Sequence, residues 1–152
     1  MRTVALYIAF IVIVASAMHC IMENVESPER KILGSWKELA WEYEKIYSHA
    51  ARNAIDADTI SQTVKDQLGQ HLVIHSAERW QFNPDGTLLL MGTDTAREVR
   101  WKLKGRGHIL ELEYDNRIVE HYNLTELSDN TMVLNFDSDI QVRGIAKLIF
   151  IK

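Results

Sequence analysis

The chain has 152 residues, 17 of them basic and 21 acidic, for a net charge of −4, with 47% hydrophobic residues and one cysteine. That length suits a single domain, and charge mixed along the chain with no basic block excludes nucleic-acid binding as its main role. The lone Cys20 excludes an intramolecular disulfide, so the core alone must hold the fold.

Met1-Arg2-Thr3 carries one positive side chain and is followed by an apolar run from Val4 to Val14 and then Ala15-Ser16-Ala17. These are the n-region, h-region and A-x-A cleavage pattern of a secretory signal peptide over 1–17. Two other readings fit the same segment. Cys20 stands at the distance of a lipidated cysteine, although His19 is larger than the residue that normally precedes one. The apolar run can also be extended to Met22, long enough for an uncleaved anchor. All three place the bulk of the chain outside the cytoplasm: periplasmic, secreted, or tethered to a membrane and facing outward.

Residues 18–31, charged from Glu23 and carrying Pro28, read as a tether, and 32–152 as the domain. A long strand is predicted from Trp36 to Tyr47, where aromatic content outweighs the helix formers of the same stretch, although Trp36 and Trp41 break a simple alternation. A loop follows over 48–56. Asp58 then reads as an N-cap, Ile60, Val64 and Leu68 recur every four residues, and Gly69 ends the pattern, which predicts one short amphipathic helix. His71 to Ile74 reads as a strand leading into the hairpin. In that hairpin Trp80 and Phe82 face one way, Asn83-Pro84-Asp85-Gly86 reverses the chain, and Thr87 to Met91 returns.

Beyond the hairpin the device repeats. Val99, Trp101 and Leu103 alternate with charged residues up to Gly105-Arg106-Gly107. Leu110, Leu112 and Tyr114 alternate up to Asp115-Asn116, and Ile118, Tyr122 and Leu124 up to Ser128-Asp129-Asn130. Met132, Leu134 and Phe136 come next, and Ile140 to Ile151 makes the last strand, bent at Gly144. The sum is a mainly β chain: an antiparallel up-and-down meander of about eight strands with one short early helix, closed into a barrel because closure removes two exposed edges.

Gly34-Ser35-Trp36 at the head of the first strand, the meander, and Arg143-Gly144 in the last strand resemble the lipocalin-like proteins, in particular the small secreted ones of bacteria, over 32–152. The resemblance implies that Trp36 lies across the closed end of the barrel, and that Arg143 is the late-strand arginine that packs on its ring, a cation–π contact. The early helix departs from the family's order, in which the main helix follows the barrel.

No nucleophile elbow, phosphate loop or dinucleotide fingerprint is present, which points away from an enzyme. His71 and His75 lack a further ligand for a metal, and Asp137-Ser138-Asp139 fits a solvated turn better than a calcium loop. Glu111, Glu113 and Glu120 read as the wet face opposite cross-strand cations, with His121 on the other face from Glu120. Neither a metal nor a cofactor is called for. Trp41, Trp80, Trp101, Tyr114 and Tyr122 are the candidates to line a ligand cavity. The expected function is a non-enzymatic, exported barrel that holds a small apolar molecule. The alternative is a filled barrel that contacts an envelope protein.

Overall fold

Residues 27–45, 58–115, 117–138 and 144–152 are described by the computed structural model. They form α1 (Pro28–Lys31), β1 (Gly34–Lys45), β2 (Asp58–Thr59), α2 (Gln62–Gly69), β3 (Arg79–Phe82), β4 (Thr87–Met91), β5 (Ala96–Lys104), a 3-10 turn (Gly105–Gly107), β6 (Ile109–Tyr114), β7 (Ile118–Leu127), β8 (Thr131–Ser138) and β9 (Gly144–Ile151). Each strand from β3 to β9 pairs antiparallel with the next, β1 pairs with β3, and β1 also pairs with β9. Eight strands therefore close an up-and-down barrel, and the two-residue β2 hangs on β1 outside the ring.

The loose alternation of β1 has a definite cause. Its ladder with β9 shifts register between Glu38 and Ala40, which makes Leu39 the extra residue of a β-bulge. Trp36 and Glu38 face inward before the bulge and Trp41 and Tyr43 after it, while Leu39 is thrown outward at 61% exposure. The bulge thus lets two tryptophans five residues apart share one core.

Expected and observed elements differ in four places. Asp58 begins β2 and caps no helix; Ser61 is the N-cap, and α2 starts at Gln62. On α2 the buried side chains are Lys65 and Leu68, so of the four-residue apolar stripe Leu68 packs, with Ile60 ahead of the helix, while Val64 is exposed and Lys65 takes its place inside. Residues 71–76 form turns and no strand: Leu72 N–H donates to Gly69 O and His75 N–H to Leu72 O, bonds within one winding segment. Finally, Pro28–Lys31 at the end of the supposed tether is a helical turn tied to the domain, because Lys152 Nζ donates to Lys31 O at 3.1 Å.

One end of the barrel, the base, gathers α1, the 83–86 and 128–130 turns and the 3-10 turn. Gly34 takes φ 107°, a conformation that favours glycine, and so bends the chain from Ile32 into β1. Trp36, fully buried, donates from Nε1 to Ile32 O at 2.7 Å. Its ring lies across the base as the resemblance implied. Arg143 lies outside the described residues. Among the described residues a cation stands over the ring: Lys152, its Nζ 4.7 Å from the centroid, brought to this end by the pairing of Ile151 with Lys37 of β1. Trp80 and Phe82 complete this layer with Phe150, the last ring 4.7 Å from Trp80. At the other end, the rim, α2 and the 70–77 segment lie over the barrel and bury Leu68, Val73, Ile74 and Ala77.

Candidate functional site

The five candidate aromatics divide between the two ends. Trp80 is wholly buried in the base, and Trp101, half-buried, donates from Nε1 to Asn83 O at 3.2 Å and meets Phe82 edge-on at 5.3 Å. Both are packing residues of the base. Trp41, Tyr122 and the half-buried Tyr114 belong to the rim. There Phe136 stands edge-on to Trp41 at 5.8 Å and to Tyr122 at 5.9 Å, so three rings share one aromatic layer.

Within that layer stand two carboxylates. Glu120 pairs with Leu112, a fully buried inner residue, and residues directly opposite share a face of the sheet. Its side chain therefore faces the interior, contrary to its expected place on the wet face. Tyr114 OH donates to Glu120 Oε1 at 2.6 Å, Tyr122 OH donates to Oε2, and the Val73 N–H of the overlying segment donates to Oε1 at 2.9 Å. Three donors compensate a carboxylate drawn out of water. In return burial, and next the hydrogen bond to this carboxylate, push the Tyr114 phenol up to about 12, while Arg97, opposite the inward Leu90, acts the other way. Burial first and Glu120 second hold Tyr122 well above the ordinary phenol range.

The second inward carboxylate, Glu38, is opposite Phe150 and is met by Lys65 from α2. The two side chains are only 12% and 11% exposed, and Lys65 Nζ stands 5.3 Å from the Trp41 ring centroid. Trp41 Nε1 and His75 Nδ1, like Trp80 Nε1 in the base and Asn135 Oδ1, are buried and have no hydrogen-bond partner among the described residues.

Glu111 does take the outer wall. Lys102 is its cross-strand partner at 2.8 Å, Lys104 also binds it, and His121 Nε2 lies 2.7 Å from Oε2. The Lys102 and Lys104 hydrogen bonds hold this carboxyl down at about 2. His121 is on the opposite face from Glu120, as expected, and its pairing with Glu111 lies on the outside of the wall. At the edge of the rim is an open cleft of about 410 Å³, lined among others by Glu98, Arg100, Tyr114 and Arg117. Among the described residues no three metal-binding side chains gather, and no helix is long and apolar enough to cross a membrane.

The closed up-and-down ring, with Gly34-Ser35-Trp36 at its base, makes the fold lipocalin-like. Among solved structures the chain is similar to a bovine lipocalin allergen, at 16% identity and a TM-score of 0.45 over 82% of this chain and 74% of that one. It is also similar to bovine odorant-binding protein in complex with a selenium-containing odorant, at 13% identity and a TM-score of 0.41 over 85% and 74%. A deswapped triple mutant of bovine odorant-binding protein gives 10% and 0.41 over 80% and 74%. No family model and no curated protein matches the chain.

Sequence reasoning missed Glu38, Lys65, Phe136 and Glu120 as site residues. For Glu120 the signal was present, since it shares the parity of Tyr122 and Leu124. For Lys65 there was none, because which face of a short helix turns inward is decided by the partner it finds.

Proposed function

We propose that this is an exported, non-enzymatic binding protein that holds a small apolar molecule at the rim end of its barrel, beneath α2 and the 70–77 segment. The observation that carries this reading is the layer of Trp41, Phe136 and Tyr122, three rings at the rim; the buried Trp41 Nε1 there has no acceptor among the described residues, a property shared with Trp80 Nε1 of the base. A buried N–H left unpaired costs about 1–3 kcal/mol. A ligand with an apolar body and one acceptor atom would remove that cost, and an eight-stranded barrel is wide enough to take one small molecule. Export rests on the Met1 to Ala17 pattern, and a membrane tether on an uncleaved segment or a lipidated Cys20; these positions lie outside the described residues.

A second reading, a filled barrel that contacts an envelope protein, is favoured by Leu39 and Ile151. These outward side chains on adjoining strands are 61% and 38% exposed. Native mass spectrometry of the protein from its own host separates the two. An added mass that vanishes on denaturation supports ligand binding, and bare protein favours the envelope partner. The same spectrum shows whether the mature chain starts at Met1, after Ala17 or at a lipidated Cys20.

A further inference from the structure

Lys65 and Glu111 are the two charged residues buried among the described residues, and Lys65 alone of the pair sits at the inner site. Lysine is almost never buried unless paired. Its ammonium has here the two partners that recognise an organic cation, a carboxylate and an indole face. We propose that Glu38 and Trp41 form an ammonium site, that Lys65 fills it in this structure as an internal stand-in, and that the ligand is a primary amine with an apolar body that enters by displacing Lys65. This deepens the ligand-binding reading and rests on it.

Three features support the exchange. The element that carries Lys65 is short and held by few buried residues. Of the eight residues of α2, only Lys65, Leu68 and Gly69 are buried, and the Ser61 N-cap makes no side-chain hydrogen bond to the helix. Helices this short are marginal without tertiary contacts. The other inward carboxylate does not compete, because Glu120 already accepts from two phenols and an amide. And the exchange conserves charge: an incoming ammonium keeps Glu38 paired, whereas a neutral or anionic ligand that expelled Lys65 would leave an inward, mostly covered carboxylate without a counter-charge, which is unfavourable. Phe136, edge-on to Trp41, and Tyr122 beyond it offer the apolar surface for the rest of the molecule.

The test titrates the full chain and Lys65→Ala with hexylamine, hexanol and hexanoate, read by tryptophan fluorescence, thermal shift and hydrogen exchange. The expected result is saturable binding of hexylamine by the wild type with faster exchange of the α2 amides, and roughly tenfold tighter binding by Lys65→Ala, whose internal competitor is gone. Hexylamine should restore the melting temperature that Lys65→Ala loses, and adding Glu38→Gln should abolish the effect. Should Lys65→Ala not fold, Lys65→Met keeps the stem without the charge and serves the same comparison. Equal binding of the three probes overturns the ammonium site and leaves the binding barrel standing. Binding of hexanol or hexanoate but not hexylamine has the same meaning. Binding of none by either protein overturns both.

Discussion

Trp36 has no exposed surface, and its ring is fixed from two sides, by the Ile32 carbonyl on its indole nitrogen and by Lys152 over its face. Trp36→Ala should therefore destabilise the domain by about 3–5 kcal/mol, measured by urea unfolding. Glu120 is the other residue on which much hangs. Glu120→Gln keeps the shape but gives the two tyrosines a neutral acceptor, and should cost about 1.5–3 kcal/mol. The same variant should bring the Tyr114 titration down from about 12 towards the ordinary value, seen as tyrosinate absorbance. The phenol is raised in the folded state, so its contribution is complete below the unfolded pKa of about 10 and is lost as pH climbs through about 12. Glu111 runs in the opposite sense. Its carboxyl is depressed from 4.5 to about 2 in the folded state, so its contribution is complete above the unfolded value and disappears as pH falls through that window. A pH series of unfolding midpoints on Glu111→Gln should converge with wild type at the acid end.

Among the elements, β1 and the segment over the rim show where sequence reasoning was strong and where it gave out. The hairpin around Asn83 to Gly86 was legible because proline, Asx chemistry and glycine act locally: Asn83 N–H meets Thr87 O, and Asp85 Oδ1 accepts from Thr87 N–H. The run from β5 to β8 was legible because period-two alternation is set by a wet and a dry side. The bulge at Leu39 was not, since a bulge is visible only against the partner strand, and β9 lies more than a hundred residues away. Glu120 is a different case: its charge favours the wet face while its parity turns it inward, and only the tyrosines and the Val73 amide show how an inward carboxylate is tolerated. Deleting Leu39 should remove the bulge, leave Trp36, Glu38, Trp41 and Tyr43 on the inner face of a regular strand and still give a folded barrel, and Leu39→Lys should stay within about 0.5 kcal/mol of wild type, both read by urea unfolding. Gly92 marks how closely the rim segment docks. A Cβ there would come within 2.2 Å of Ser76 O, so Gly92→Val should lift the segment and speed exchange of the Val73 amide while the base keeps its protection.

For the molecule as a whole, the ring is closed by its most distant strands, with Lys37 pairing with Ile151 and Lys45 with Gly144. Chains dominated by such non-local pairing fold in milliseconds to seconds, and that range is expected here by stopped-flow fluorescence of the buried tryptophans. The β1–β9 ladder also sets a timetable. Until β9 has been made, β1 has one sheet edge unpaired and Trp36 lacks its lysine, so the barrel cannot close before its last strand is in place. A meander that closes so late is for most of its assembly an open ribbon, whose free borders on β1 and β8 could pair with a neighbouring chain.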